Sequence, residues 1–223
     1  MFYFRINKVR IIDNRERGFL FFRRDLAEMK LISLVTTGDI SFPDLDPFMQ
    51  AIDPEEKRRL AALMVAQVVS NRIMATIDKV KDNHVATFGD AGYVVFQRAL
   101  IPNDFNWCVL ALEDDGDVRD VGTTIEEVVT NEGFDGFTTN LAIVIGAAAN
   151  PAFAAGAAVS KFVAETVARN LKKKKDDLAG VLYMSLNRQE HYPHGERKRD
   201  DVPDLTGNMF VDYSLFGTQQ TTE

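Results

Sequence analysis

The chain reads as an α+β fold, with about eight antiparallel strands and α-helices inserted at two points. Three observations predict it. Short runs with period-2 alternation recur from the first residues to the last. The helical stretches come in two blocks and do not alternate one-for-one with strands, which argues against a doubly wound parallel sheet. The run "FNWCVLALE" (Phe105–Glu113) is apolar on both parities, the pattern of a strand covered on both faces and central in its sheet.

The elements follow in order. Phe2, Phe4 and Ile6 share one parity, and Val9 and Ile11 the other, so Phe2–Asp13 is an extended run with a bulge or bend inside it. Asn14–Gly18 reads as a turn, Phe19–Phe22 as a short apolar strand and Ala27–Gly38 as a strand alternating Met29, Leu31, Ser33 and Val35. Residues 39–53 are loop-like, with Pro43 and Pro47. Asp53 then caps a helix whose first turn holds Pro54, Glu55 and Glu56, residues that suit the free N–H groups and the dipole there. Val65, Val69, Ile73 and Ile77 at i+4 spacing, beside Leu60 and Met64, carry that predicted helix to about Lys79.

Two strands, Asn83–Gly89 and Tyr93–Leu100, flank Asp90-Ala91-Gly92, which reads as a hairpin-like turn. After Phe105–Glu113, a short helix is predicted within Thr123–Asn140, with Thr124 as a cap. The Ala- and Gly-rich stretch Leu141–Leu171 is two helices divided at Asn150-Pro151. Val159, Val163, Val167 and Leu171 stripe the second helix, and Lys172–Lys175 close it where positive charge suits the dipole. Ala179–Arg188 is a strand, Gln189–Asn208 a long charged loop and Met209–Gly217 a final strand. The organisation is one domain over 1–217, with helical insertions at about 39–80 and 123–175, and a polar tail at 218–223.

Composition narrows the classes of function. The chain has 223 residues, 46% hydrophobic and 26% charged, so it can bury a sizeable core without disulfide staples. Cys108 is the single cysteine, which precludes an intramolecular disulfide and fits a reducing compartment. The opening residues alternate where a signal peptide would be continuously apolar, so the expected location is cytoplasmic, with peripheral membrane association allowed. A net charge of −7 argues against nucleic acid as a partner. Within Leu141–Leu171, Asn150, Ser160, Lys161 and Glu165 break the apolar run well short of the ~20 residues that span a bilayer, so no transmembrane segment is expected.

Gly92–Gly122 resembles the core of C2 domains, the calcium- and phospholipid-binding β-sandwiches. The matching pieces are a strand with an aromatic at Phe96, a loop bearing Pro102, the strand Val109-Leu110-Ala111-Leu112, and an aspartate loop ending Asp120-Val121-Gly122. Ala27–Val35 is similar to the second strand of that family. The resemblance implies an antiparallel β-sandwich of about eight strands, elaborated here by inserted helices. It also implies Ca2+ held by Asp114, Asp115, Asp117 and Asp120, with Asp13 or Asp25 supplying the opposing loop. C2 domains are about half this length and almost wholly β, and Arg23 and Arg24 sit beside Asp25. Calcium takes about six to eight oxygens, usually from two converging loops, so a partner loop decides this site.

Other candidate chemistry is sparse. Five carboxylates, Glu113, Asp114, Asp115, Asp117 and Asp120, fall within eight residues, and a divalent cation would relieve their repulsion. The alternative is a solvated turn in which Gly116 makes the bend and Arg119 offsets charge. His191 and His194 are spaced to chelate zinc, but Pro193 interrupts them and Arg197, Lys198 and Arg199 repel a cation. No Gly-x-Ser-x-Gly, P-loop or Gly-x-Gly-x-x-Gly run is present, and Cys108 sits mid-strand as a core residue. The sequence nominates no catalytic residue. It favours a binding module for a partner protein or an anionic membrane surface, with calcium as an aid. The second expectation is a subunit of a homo- or hetero-oligomer that uses Asp53–Lys79 or Pro151–Leu171 as its interface. The third is a metal-dependent enzyme at His191 and His194.

Overall fold

Aromatic and β-branched residues at every second position make the first strand, β1 (Phe2–Ile11). The computed structural model describes residues 1–14, 26–38, 44–113, 121–174, 178–192 and 195–218, with backbone alone at 121, 122, 124 and 170–174. Phe2, Phe4, Ile6, Val9 and Ile11 are buried, whereas the residues between them are less so. The parity change read from the sequence is a register shift between Ile6 and Lys8, opposite the C-terminal strand β9 (Met209–Gly217). The predicted strand at Phe19–Phe22 and most of the turn at Asn14–Gly18 lie outside the described residues.

Two antiparallel sheets form. In the first, β4 (His84–Thr87) pairs β1, β1 pairs β9, and β9 pairs β8 (Gly195–Pro203). The strand β5 (Tyr93–Arg98) also pairs β1. The second sheet has the order β3 (Ile73–Val80), β2 (Ala27–Thr37), β6 (Asp104–Glu113) and β7 (Leu178–Asn187). As its two-parity pattern predicts, β6 lies inside its sheet and is buried from Phe105 to Ala111.

One apolar core joins the two sheets. Phe4 of the first sheet meets Phe105 and Trp107 of the second, with ring centroids 4.9 and 4.7 Å apart. The Trp107 indole N–H donates to Ser33 Oγ at 3.2 Å, so the largest core side chain leaves no buried donor unmet. The opposite face of the second sheet carries Leu34, Cys108 and Leu110 into a second core beneath helices. These helices are α1 (Asp46–Gln50), α2 (Pro54–Ser70), α3 (Val121–Val129), α4 (Phe134–Ala147) and α5 (Pro151–Lys174). The second sheet is thus covered on both faces. Among the described residues, no helix is long and apolar enough to cross a membrane.

Four local expectations are corrected. The helix begun by Asp53, whose side chain accepts from Glu55 N–H, ends at Ser70 and not near Lys79; Ile73–Val80 is β3. The i+4 stripe misleads because four is a multiple of two as well as nearly one helical turn, so Ile73 and Ile77 share a strand face equally well. The Asp90-Ala91-Gly92 turn is not a hairpin. The two strands it links lie end to end along one side of β1, at Lys8–Ile11 and at Phe2–Ile6. Gly92 is needed there at φ +65°, since a Cβ would stand 3.0 Å from Ile6 O. Thr124 lies inside α3, which starts at Val121. The charged loop Gln189–Asn208 contains α6 (Arg188–His191) and β8. The side chains of β8 are largely exposed at a sheet edge, so the strand needs no apolar alternation, and its charges discourage edge-to-edge pairing.

The division at Asn150-Pro151 appears as read. Asn150 Oδ1 accepts from Phe153 N–H at 3.1 Å, and its amide donates to Asp104 Oδ2 at 2.6 Å, tying the start of α5 to β6.

Candidate functional site

Of the predicted calcium residues, the structure describes Asp13 alone. Asp114, Asp115, Asp117 and Asp120, and likewise Asp25, lie outside the described residues. Asp13 follows β1, with its N–H donating to Asn208 Oδ1 and its carbonyl accepting from the Asn208 amide, both at 2.9 Å. His191 ends α6, and its Nδ1 accepts from Asn187 N–H at 3.1 Å, a local cap; its predicted companion His194 lies outside the described residues. Among the described residues, no three His, Cys, Asp or Glu side chains are grouped to hold a metal.

Cys108 is fully buried against the helical layer, and desolvation pushes its thiol up to about 12. A thiol so shielded is neither a nucleophile nor a ready ligand at neutral pH.

What the fold does build is a cleft of about 660 Å3 beside β7. One wall is α5, through Lys161, Ala164, Glu165, Ala168 and Arg169. The other is β7, through Leu178, Val181 and Tyr183, closed by Leu205 and Thr206 from the turn between β8 and β9. Two alanines one helical turn apart hold the α5 wall back from the strand, which is why space remains. Leu205 is 76% exposed, an apolar side chain at the mouth of an apolar cleft. The rim is polar. Lys161 Nζ is 3.8 Å from the Glu165 carboxylate, whereas Arg169 has no carboxylate partner among the described residues. Burial raises the Tyr183 phenol above its ordinary range, so it stays protonated through neutral pH. Its neighbour Ser185 donates to Asn106 Oδ1 at 2.8 Å, and Asn106 donates to Thr36 Oγ1 at 3.2 Å.

The turn that closes the cleft is held by one carboxylate. Asp204 is 7% exposed. Its Oδ2 accepts from Val181 N–H at 2.8 Å, Thr206 N–H at 3.1 Å and Thr206 Oγ1 at 2.7 Å. Its Oδ1 accepts from Asn208 N–H at 2.9 Å and Met209 N–H at 3.0 Å. Five donors satisfy a buried charge and lock the turn onto β7. Asn208 adds a bond to Ala179 O at 2.7 Å.

Comparison with family models, with curated proteins and with solved structures finds no match to this chain. The cleft was not legible in advance. Its walls come from residues far apart in the sequence, and a run of "SKFVAETVAR" reads as an ordinary amphipathic helix. The Asp204 turn was partly legible, because Pro203-Asp204 and Gly207-Asn208 carry the usual turn chemistry.

Proposed function

We propose that the chain is a non-catalytic binding module and that it takes a partner protein at the cleft between α5 and β7. The observation that carries this is the cleft itself: an apolar interior, an exposed leucine at its mouth and an arginine on its rim without a carboxylate partner among the described residues. Concave apolar sites with a few placed polar groups are where proteins take ligands. A C2-like sandwich remains the family reading for the two sheets, with the helices as insertions.

Affinity capture with the wild type against Ala168→Trp, which fills the cleft from a half-buried helix position, tests the reading. A protein retained by the wild type and lost from the variant supports it, and identical retained sets overturn it. Flotation of the chain with phosphatidylserine vesicles, unaffected by Ala168→Trp, would move the ligand from protein to membrane.

A second reading, subunit of an oligomer, has its own observation. Ile52 is 97% exposed beyond α1, and Ile143 and Val144 are exposed on α4, which packs on α1. If this face is the interface, sedimentation shows an oligomer that Ile143→Glu converts to monomer. A wild-type monomer at micromolar concentration ends that reading.

A further inference from the structure

We infer that the free edge of β7 takes an extended, acidic segment of a partner protein as an added strand, with one of its side chains in the cleft. This rests on the cleft being the binding site and adds the mode of binding.

The backbone hydrogen bonds carry the inference. Val181 N–H donates to Asp204 Oδ2 and Val181 O accepts from Leu205 N–H, each at 2.8 Å, so the polar pair of Val181 points away from β6. Alternation then sets the rest of the strand. Consistent with it, Asn187 N–H turns outward to His191 Nδ1, while Arg188 N–H turns the other way, to Asn103 O. Tyr183 and Ser185 share the parity of Val181 and Asn187. Their N–H and C=O groups therefore also face the open edge, where no described residue pairs with them.

The edge is thus capped at Val181 and at Asn187 and open between, over two donors and two acceptors. Unpaired strand groups of this kind are a template for another extended chain. The two caps keep the window short. They stand where the full β7 of a second copy would have to lie, which favours a short segment. A residue set opposite Tyr183 has its side chain on the face of Tyr183, which is the cleft side. There Lys161 is engaged by Glu165, and among the described residues that line the cleft Arg169 is the cation left for a carboxylate.

The test titrates isotopically labelled protein with an acetylated, amidated peptide of alternating Asp and Val. Two signals are read: amide exchange at Tyr183 and Ser185, and methyl shifts at Ala164 and Ala168. Strand addition slows both amides by at least about tenfold at saturation and shifts both methyls. The same peptide with alternate amides N-methylated does not protect them. Ser185→Pro removes the outward N–H and leaves the backbone bonds to β6 in place; measured against Ser185→Ala, which shares its loss of the hydroxyl bond to Asn106, it weakens binding about tenfold, on the scale of a lost hydrogen bond in a desolvated site. Arg169→Glu, on the exposed side of α5, weakens binding without touching the strand. Methyl shifts without amide protection overturn strand addition and leave the cleft reading standing. No change in either signal overturns both. Equal binding of a Lys–Val peptide overturns the acidic partner.

Discussion

Replacing Asp204 with alanine removes all five hydrogen bonds that hold the turn between β8 and β9 against β7. The magnitude follows from where each donor goes. Thr206 is exposed, so its N–H and hydroxyl turn to water at little cost. The N–H of Met209 belongs to a buried residue and that of Val181 is partly buried, and both lose their acceptor, whereas Asn208 N–H keeps Thr206 Oγ1 at 3.3 Å. At roughly 1–2 kcal/mol for each of the two stranded donors, the loss is about 2–4 kcal/mol. Asp204→Asn keeps an acceptor at one position and puts an amide against the other donors, so it falls between wild type and Asp204→Ala. Urea unfolding at pH 7, with the slope m compared among the three chains, measures the difference. A cost below about 1 kcal/mol for Asp204→Ala at unchanged m would refute the claim that this carboxylate secures the turn. The prediction also bears on the cleft, because Leu205 and Thr206 form its closing wall.

Four further outcomes are expected. Gly180→Ala destabilises by about 2–3 kcal/mol in the same unfolding assay, because its Cβ would lie 2.5 Å from Met209 Cβ, an atom fixed to the buried backbone of β9; a neutral effect would contradict that packing. Cys108 does not react with a disulfide reagent at pH 8 in the native state, since a pKa of about 12 leaves only about one thiol in ten thousand ionised, and it reacts fully in urea. The hydrogen bond from Lys8 to Asp212 raises the lysine above its ordinary value, with Nζ 2.7 Å from Asp212 Oδ2. A base raised by folding adds stability below its unfolded pKa and loses it as pH climbs through the folded one. Lys8→Met therefore costs about 0.5–1 kcal/mol at pH 8, and the gap closes above about pH 10.5. A constant gap across that range contradicts the linkage. For the calcium expectation, millimolar calcium against chelator raises the melting temperature, and Asp115→Asn with Asp117→Asn abolishes the rise; no rise in the wild type removes the site.

Much of the first sheet and the centre of the second was readable because burial on one face imposes alternation. Phe2, Phe4 and Ile6, then Val9 and Ile11, announce β1 and its bulge. Trp107, Val109 and Ala111 against Cys108 and Leu110 announce a strand between two cores. The helix cap at Asp53 and the break at Asn150-Pro151 were readable because capping chemistry is local. The candidate site was not. The acidic loop stands out by its charge, yet a cation cage needs a second loop, and Asp114–Asp120 lie outside the described residues.

By itself, then, the sequence determined the α+β class, most of the strands, the fully covered β6 and the starts of α2 and α5. These depend on period, capping and turn residues within a few positions of one another. Tertiary structure decided what depends on distant partners. It made Ile73–Val80 a strand by pairing it with β2, and it set β4 and β5 end to end along β1. It also brought Asp204 under Val181, and set Ala164 and Ala168 across from Tyr183 to leave a cleft beside an open strand edge. Local propensity cannot specify such pairings, because the same residues satisfy their backbone groups equally well with other neighbours until the sheets choose them.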